Sequence, residues 1–392
     1  MVRIKGRTST VNRWYFDHNA TTPVSPQVLE AYCRALAEVP GNASSIHHFG
    51  QCARRALDDA RTQAAAALAC KPDEVVFTSG GTEADNLALF GVARAAARRP
   101  PHIVTSAIEH PAVLAACAQL EKEGASVTYL PVNGDGWVDP DDVRRALRPE
   151  TALISIMHAN NETGVIQPVE EIARIAKEQG IAFHSDGVQA VGKIPLCQEC
   201  GLYSVSGHKI FAPKGVGALV VRGGVPVRPL LYGGRQERAR RAGTENVPGA
   251  VALAAALSST GPAAWDRTAA LRDQMEASIL DSVPGARVNG GGAERLPNTS
   301  SIRIPGIVAE ALVIALDLEG FAVSTGSACS SGAVEPSHVL KAMGLTPGDA
   351  RASLRISLGP SNTEEEVAAL AGAVVRLAQR LRRTAPGWSI HA

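Results

Sequence analysis

The chain has almost no net charge and no long hydrophobic run, and these two absences exclude broad classes of protein. Its 39 Lys and Arg residues balance 38 Asp and Glu residues, so it has no basic field that would bind nucleic acid. No apolar stretch approaches the length of a membrane-spanning helix. Residues 1–13 lack the apolar core of a signal peptide. We therefore expect neither nucleic acid nor a membrane among its partners.

Cysteine is sparse and follows no disulfide pattern. The seven cysteines of the 392 residues are Cys33, Cys52, Cys70, Cys117, Cys197, Cys200 and Cys329. An odd number without a secretion signal is typical of the reducing cytoplasm, where we expect this protein to work. Cys197 and Cys200 form a Cys-x-x-Cys pair, but no second pair stands near them in the sequence. We interpret them as loop cysteines rather than as a metal or redox site, and we expect no metal.

Strand and helix patterns alternate along the chain from Val75 onward, which predicts a doubly wound, mostly parallel α/β sheet. The length allows two domains. We place a large domain over residues 14–258. A smaller α+β domain follows over residues 259–392, and we assign the arm 1–13 to it.

The loops after the carboxyl ends of the strands form the functional site in a sheet of this kind. Polar residues that could do chemistry fall in these loops, namely Gly81, Thr82, Glu109, His110, Asn160, Asn161, Asp186 and Lys209. We therefore expect them to share one edge of the sheet.

Three of these loops together meet the requirements of pyridoxal phosphate, which are a lysine, a carboxylate for the ring nitrogen and a phosphate cradle. Lys209 follows a short apolar strand, and burial would lower the pKa of its amine so that it can form a Schiff base. Asp186 follows a second strand, and Gly81 and Thr82 open a helix whose free N–H groups suit a phosphate. Each signal alone also fits an ordinary solvated residue, but their order and spacing indicate the cofactor.

Cys329 lies in a stretch of small residues, 324–332, which is Ser-Thr-Gly-Ser-Ala-Cys-Ser-Ser-Gly. Such a stretch offers little apolar cover, so we expect the thiol to be exposed. An exposed thiol is prone to oxidation, so a cysteine without a function is a liability at such a position. Its presence there favours a role as a nucleophile.

With these motifs the sequence resembles the pyridoxal-phosphate-dependent cysteine desulfurases of the nitrogen-fixation and iron–sulfur-cluster type, in the class V aminotransferase family. The resemblance covers nearly the whole chain, from Tyr15 to Gly359. Its most specific motifs are Thr78-Ser79-Gly80-Gly81-Thr82-Glu83, Ser106-Ala107-Ile108-Glu109-His110, His158-Ala159-Asn160-Asn161-Glu162-Thr163-Gly164, Ser206-Gly207-His208-Lys209 and Gly326-Ser327-Ala328-Cys329.

The resemblance implies the type I fold of pyridoxal-phosphate-dependent transferases, that cofactor, and a set of residues that hold it. Lys209 would bind the cofactor aldehyde, and Asp186 would pair with the ring nitrogen. Gln189 would hydrogen-bond the phenolic oxygen, and His110 would stack on the ring. The phosphate would be held by Gly81, Thr82, Ser206, His208 and, from the neighbouring subunit of a homodimer, Thr244.

The resemblance also implies the reaction and the residues that carry it. L-cysteine would become L-alanine, and its sulfur would pass as a persulfide of Cys329 to an acceptor or iron–sulfur scaffold protein. Lys209 would move the Cα proton, and His110 would exchange protons with the substrate thiol. Asn161 and Arg355, with Asn42 nearby, would bind the substrate carboxylate.

The sequence leaves alternatives open and departs from the family pattern at several places. A selenocysteine lyase, an aminotransferase or a β-lyase would keep the fold and cofactor, and a sulfur carrier with a vestigial pocket is a further reading. His18 replaces the usual asparagine, and Ala43 replaces the usual proline. The segment between Gln189 and Lys209 is a few residues shorter than in the family, which bears on the strand that leads into Lys209.

Overall fold

The computed structural model describes residues 12–97, 100–325 and 336–384. Its strands are β1 (Trp14–Tyr15), β2 (Val75–Thr78), β3 (His102–Ser106), β4 (Ser126–Leu130), β5 (Thr151–Ser155), β6 (Ala182–Asp186), β7 (Leu202–Ser206), β8 (Gly217–Val221), β9 (Arg287–Val288), β10 (Thr299–Arg303), β11 (Phe321–Ala322) and β12 (Ser353–Ser357). Its α-helices are α1 (Pro26–Glu38), α2 (His48–Ala67), α3 (Gly81–Ala95), α4 (Pro111–Lys122), α5 (Pro140–Ala146), α6 (Val169–Glu178), α7 (Val247–Ser259), α8 (Asp266–Ser282), α9 (Ala309–Leu318), α10 (His338–Ala342), α11 (Pro347–Arg351) and α12 (Glu364–Thr384).

Within those ranges, seven strands form the central sheet in the order β2-β8-β7-β6-β5-β3-β4. The neighbours pair in parallel except for β8, which is antiparallel to both β2 and β7. The strands β2, β3, β7 and β8 are buried along their whole length because helices cover both faces of the sheet. The predicted mostly parallel α/β sheet is confirmed.

The helices of the large domain show why the two faces are covered. In α6, Val169, Ile172 and Ala176 face the core at helical spacing, whereas Arg174 and Lys177 are exposed. Helix α7 is apolar on nearly all sides because it lies against both α1 and α2. In the described part of the chain, no single helix is long and apolar enough to cross a membrane. Val247–Ser259 and Pro262–Ser282 reach that length and composition only together, across a 74° bend.

The small domain is built on the antiparallel sheet β12-β10-β9. Helices α8, α9 and α12 supply much of its separate hydrophobic core. The start of the chain packs into the same core, since β1 pairs in parallel with β11 and Phe16 is fully buried there. Trp14 also stacks on Phe321, with ring centroids 4.9 Å apart.

The shortened segment before Lys209 leaves strand β7 intact. Strand β7 pairs with β6 on one side and with β8 on the other. Cys197 and Cys200 lie in the turn that precedes it, and both side chains are buried in the large core. Burial raises the pKa of the Cys200 thiol well above its ordinary value, which makes it a poor nucleophile. In the described ranges, no cluster of three or more His, Cys, Asp or Glu side chains is arranged to bind a metal.

Two element boundaries concern the site. Helix α3 begins at Gly81, in agreement with the expectation that Gly81 and Thr82 open a helix. Gly81 and Thr82 therefore form the first turn of the helix. Strand β6 extends to Asp186, so this carboxylate is fixed by the strand itself rather than by the loop that follows.

Candidate active site

A cavity of ≈ 400 Å³ opens at the carboxyl edge of the central sheet. Ten of the residues singled out from the sequence line it: Gly81, Thr82, His110, Asn161, Asp186, Gln189, Ser206, His208, Lys209 and Arg355. They lie at the ends of β6 and β7, at the start of α3 and in the loops beside them, and Arg355 lies in β12. The cavity therefore lies between the central sheet and the sheet β12-β10-β9.

Three other residues singled out from the sequence lie elsewhere. Asn42 is exposed, and its Oδ1 accepts a hydrogen bond from the Ser44 backbone N–H at 2.8 Å. Thr244 is exposed on the loop before α7. Neither side chain lines the cavity of this chain in the part that the structure describes. Cys329 lies outside the described residues, in the segment between Thr325 and Pro336.

Lys209 lines the cavity from the end of a short 3-10 turn (Gly207–Lys209) that follows β7. Its Nζ donates hydrogen bonds to the backbone carbonyls of Asn19 and Ala20. Burial, reinforced by the positive charge of Arg355, lowers the pKa of Lys209 to about 8. The unprotonated amine, which a nucleophilic or basic lysine requires, is therefore far more populated near neutral pH than in an ordinary lysine.

Asp186 presents its buried carboxylate at the end of β6, where Oδ1 accepts a hydrogen bond from the Val188 backbone N–H at 2.9 Å. Burial raises its pKa, while His110 and Lys209 act in the opposite direction. Asp85 on α3 lies close by and also lines the cavity. Burial, and then the neighbouring Asp186, raises the pKa of Asp85 well above its ordinary value. The carboxyl-lined wall therefore favours a cationic group such as a protonated ring nitrogen.

His110 is held by the start of α4, which it caps. Its Nδ1 accepts a hydrogen bond from the Ala112 backbone N–H at 3.1 Å. A ring nitrogen that accepts cannot carry a proton, so the neutral imidazole bears its hydrogen on Nε2. Burial lowers the pKa of His110 and maintains this neutral form. The ring therefore offers a donor at Nε2, which can exchange a proton with a bound molecule.

The N-terminus of α3 forms an anion cradle on one wall of the cavity. Gly81 and Thr82 occupy its first turn, where backbone N–H groups have no partner within the helix. A Cβ atom at Gly81 would lie 2.8 Å from Cγ2 of Val188, so a larger residue would fill this space. Ser206 and His208 face the same cavity. Burial and Lys209 lower the pKa of His208 to about 4, which leaves it neutral.

The opposite wall is set by Arg355, a buried arginine from the small domain. Its Nη2 donates to Oδ1 of Asp17 at 2.8 Å, and its Nη1 donates to the Asn161 backbone carbonyl at 3.1 Å. The Nε atom is buried without a hydrogen-bond partner among the described residues. Arg355 and Asn161 together suit a small carboxylate that enters the cavity.

This set of groups fits pyridoxal phosphate. An amine of lowered pKa, a carboxyl-lined wall and a glycine-opened helix N-terminus line one cavity. The buried Asp85 Oδ1, which has no hydrogen-bond partner among the described residues, is a further acceptor beside Asp186. The amine, the carboxylate and the anion cradle are the three groups that this cofactor requires of a protein.

Sequence reasoning missed several residues that shape the site. Asn19 and Asp85 line the cavity, and Lys193 is buried behind Gln189. Asp85 lies one helical turn after Gly81, so helical spacing could have placed it on the same side. Lys193 stands alone in the segment Ala190-Val191-Gly192-Lys193-Ile194, which offers no other charge. A lone lysine in an apolar segment is the one signal that could have indicated it.

The chain matches known proteins along most of its length. The family model described as aminotransferase class-V matches residues 14–370. A protein of Dictyoglomus turgidum named cysteine desulfurase IscS is 46% identical over 378 residues, which cover 95% of this chain and 96% of that protein. A solved structure named NifS-like protein has a TM-score of 0.88 and 38% identity, and the match covers 94% of this chain and 100% of that one. A structure described as SspA in complex with cysteine has a TM-score of 0.79 and 36% identity, with 89% and 99% covered.

Proposed function

Because this chain belongs to the cysteine desulfurases of the class-V aminotransferase family, we propose that it takes sulfur from L-cysteine onto Cys329 and passes it to an acceptor protein. Its reaction is the conversion of L-cysteine to L-alanine. Pyridoxal phosphate is its cofactor, and when bound it supplies the electron sink that lets an amino acid lose its Cα proton. The observation that carries the proposal is the convergence of Lys209, Asp186, His110 and Arg355 on one cavity.

Residues of the large domain would hold the cofactor. Lys209 would bind its aldehyde, and Asp186 would pair with its ring nitrogen. Gln189 would donate to its phenolic oxygen, and His110 would lie against its ring. The phosphate would be held by Gly81, Thr82, Ser206 and His208. All of these side chains or backbone groups line the cavity.

Arg355 and Asn161 would orient the substrate by its carboxylate. The Arg355 Nε, which has no hydrogen-bond partner among the described residues, offers a buried donor on that wall. The ion pair with Asp17 fixes the guanidinium plane before substrate enters. A substrate held by Arg355 and Asn161 would share one cavity with Lys209. Asn42, which the resemblance places nearby, does not line the cavity of this chain, so its part in the carboxylate site stays a prediction.

Two groups would move protons in the reaction. Lys209 Nζ would take the Cα proton, since the pKa of about 8 leaves part of the amine unprotonated. His110 would exchange a proton with the substrate thiol through Nε2, because Nδ1 is occupied by the Ala112 N–H. Lys209 lies in the turn after β7 and His110 caps the start of α4, so the two groups enter the cavity from different elements.

Cys329 would act as the sulfur acceptor. An S–S bond to its thiolate would form as the Cβ–S bond of the substrate breaks, and Cβ would keep the electron pair and take a proton to give alanine. Both flanks of its segment are anchored beside the site. The backbone of Ser324 bridges that of Arg355, and Ser337 Oγ donates to the Glu162 carboxylate at 2.5 Å.

The decisive experiment measures alanine and sulfide from L-cysteine under reductant for the wild type, Cys329→Ser and Cys33→Ser. Cys33 is an exposed cysteine that does not line the cavity, which makes it a matched control. We expect Cys33→Ser to retain the activity. Cys329→Ser should keep the yellow cofactor absorbance and lose both products.

Full cysteine activity in Cys329→Ser would refute the persulfide step and favour a β-lyase or an aminotransferase. Turnover of selenocysteine alone, with Cys329 dispensable, would identify a selenocysteine lyase.

A further inference from the structure

A buried lysine, Lys193, lies directly behind the cavity and has no place in the reaction as proposed above. Only 3% of its surface is exposed, and it sits in the turn between β6 and β7. Its Nζ donates to the Gln189 backbone carbonyl at 2.9 Å and to Gln189 Oε1 at 3.2 Å. The ammonium also lies 5.8 Å from the centroid of the Trp265 ring. Burying a lysine is costly unless its contacts serve the fold or the site.

Lys193 fixes which way the Gln189 amide points. A protonated lysine can only donate, so the amide atom that faces the Lys193 ammonium is the oxygen Oε1. The Asn19 carbonyl can only accept, and Gln189 Nε2 donates to it at 3.0 Å. These two partners leave a single orientation of the amide, with no ambiguity between its oxygen and nitrogen. The second N–H of Nε2 is then free to face the cavity that Gln189 lines.

The same contacts connect Lys193 to Lys209. The Asn19 carbonyl that accepts from Gln189 also accepts from Lys209 Nζ. A continuous hydrogen-bond path therefore runs from Lys193 through Gln189 and Asn19 to the lysine at the centre of the site. Hydrogen bonds linked in this way in a buried region reinforce one another.

The charged groups around Lys193 do not neutralise it. Across the described ranges, no carboxylate lies within ion-pair distance of its Nζ. Burial and the charge of Lys209 lower the pKa of Lys193 to about 7. His18 faces it as a neutral ring, since burial and Lys193 lower the pKa of His18 to about 4. Lys193 therefore brings a partial positive charge and a strong donor to Gln189 near neutral pH.

We propose that Lys193 is a positioning residue that orients the Gln189 amide so that its free N–H reaches the phenolic oxygen of the bound cofactor. The inference rests on the cofactor site of the proposed function and not on Cys329 or on the identity of the substrate. A donor to that oxygen stabilises its anionic form, as does a nearby positive charge. The phenolic oxygen shares a proton with the neighbouring Schiff-base nitrogen. Removing the donor or the positive charge therefore raises the pKa of this shared proton.

The test is a pH titration of the visible absorbance band of the holoenzyme without substrate. Lys193→Met keeps the length of the side chain and removes the donor and the charge. We expect the pH midpoint of this titration to rise by about 0.5–1 unit in Lys193→Met, which is the effect of one ordinary hydrogen bond. Lys177→Met, which removes an exposed lysine paired with Glu199, is the matched control and should not move it.

A double substitution distinguishes two ways in which Lys193 could act: by orienting the Gln189 amide, or by the direct effect of its charge on the cofactor. Gln189→Leu should raise the midpoint by a similar amount. If Lys193 acts through Gln189, then Lys193→Met added to Gln189→Leu should change the midpoint no further. Full additivity of the two shifts would overturn the proposal, as would an unchanged midpoint in Lys193→Met.

Lys193→Gln is a second, independent test, because the introduced glutamine side chain can donate a hydrogen bond but carries no charge. We expect its midpoint to lie closer to the wild type than that of Lys193→Met. Equal shifts in both variants would mean that the charge acts through space, which contradicts orientation of the amide. Loss of cofactor binding in both variants would assign Lys193 to folding and would also overturn the proposal. A holoenzyme that lacks desulfurase activity still reports the midpoint, so failure of the proposed reaction is recognised separately.

Discussion

Burial sets the protonation of the two groups at the centre of the site. For both Lys209 and His110, the loss of water is the main cause that lowers the pKa. The neighbouring charges then partly oppose one another, since Asp186 raises both values while Arg355 lowers that of Lys209. A surface lysine and a surface histidine with the same hydrogen bonds would be protonated to a greater extent at the same pH.

Lys209 gives a pH-dependent prediction at the residue scale. The unprotonated amine reacts with an aldehyde, so the rate at which cofactor-free protein captures pyridoxal phosphate should rise with pH, with a midpoint near 8. Replacement of Arg355 by Gln removes a nearby positive charge and should move that midpoint upward. Stopped-flow absorbance at several pH values measures both effects, and Lys209→Ala is the blank. A wild-type midpoint close to the ordinary value for lysine would contradict this account.

His110 can be tested with two substitutions that separate its cap from its ring. Asn accepts the same N-terminal hydrogen bond, so His110→Asn should preserve the stability of α4 while lowering the rate of alanine formation by about 10²–10⁴-fold. His110→Ala should lose a similar rate and also about 1 kcal/mol of stability, because the cap to Ala112 is lost. Alanine assays and urea unfolding measure the two effects. Near-normal turnover in His110→Asn would refute a role for the ring.

At the scale of elements, the buried Glu237 and the partly exposed Glu83 attach the arginine-rich loop before α7 to the central sheet and its helices. Glu237 forms a two-pronged ion pair with Arg61 on α2, at 2.8 and 2.7 Å. It also accepts from the Phe77 backbone N–H on β2 at 3.0 Å. Glu83 on α3 accepts from Arg241 at 2.8 Å and from the Ser79 backbone N–H at 2.8 Å. The loop that bears Thr244 is therefore fixed to the elements that form the anion cradle.

Glu237→Gln should destabilise the fold strongly. Removing one partner of a buried ion pair leaves the Arg61 charge without compensation, at a cost of about 3–5 kcal/mol. Urea unfolding followed by far-ultraviolet circular dichroism measures this loss of stability, and we expect a lower midpoint urea concentration for Glu237→Gln. Asp142→Asn, which breaks an exposed pair with Arg145, is the control and should have no measurable effect. Equal stability of the two variants would contradict the structural role of Glu237.

The Ser337–Glu162 contact should affect sulfur transfer and leave cofactor binding alone. Ser337 also caps α10 through the Leu340 backbone N–H, so it fixes the chain immediately after the Cys329 segment. We expect Ser337→Ala to lower sulfide formation by about tenfold, which corresponds to about 1.4 kcal/mol. The absorbance spectrum should not change, and Ser337→Thr should restore most of the activity. Unchanged sulfide formation in Ser337→Ala would show that this anchor is dispensable.

At the scale of the whole molecule, we propose that Thr244 of a second subunit completes the phosphate site, as the resemblance to the family implies. Thr244 does not line the cavity of its own chain in the described ranges, although its loop is firmly attached. A second copy whose Thr244 reaches this cavity would explain both observations. The proposed homodimer is then part of the site and not only a packing arrangement.

Mixed dimers test this arrangement directly. Thr244→Val should weaken pyridoxal phosphate binding by about tenfold, the value of one hydrogen bond to a charged group. In a heterodimer of Thr244→Val with Lys209→Ala, one of the two sites would contain only wild-type groups. That site should regain wild-type affinity, which titration of the visible band measures. If Thr244 served its own chain, the heterodimer would retain the weak affinity, and a monomer in solution would also refute the proposal.

Much of this architecture follows from local sequence patterns. The period of the apolar residues predicts α9 at Ala309–Leu318 and β3 at His102–Ser106, as observed. The strand-end positions of His110, Asp186 and Lys209 indicate a shared edge because parallel strands meet there. Apolar periodicity cannot show that Gly81 and Thr82 belong to α3, nor that β8 runs antiparallel within the sheet.

The sequence by itself determined the class of fold, the cofactor chemistry and most of the residues that line the site. These properties depend on residue type and spacing, which a strand or a helix converts directly into a position. Only the tertiary structure decided that Asp85 lies beside Asp186, that Lys193 is buried behind Gln189 and that Arg355 reaches the site from the small domain. Such contacts join residues that are distant along the chain, and burial then sets the protonation of each one. A local sequence pattern shows neither these contacts nor these protonation states, because both arise only when separate elements pack together and exclude water.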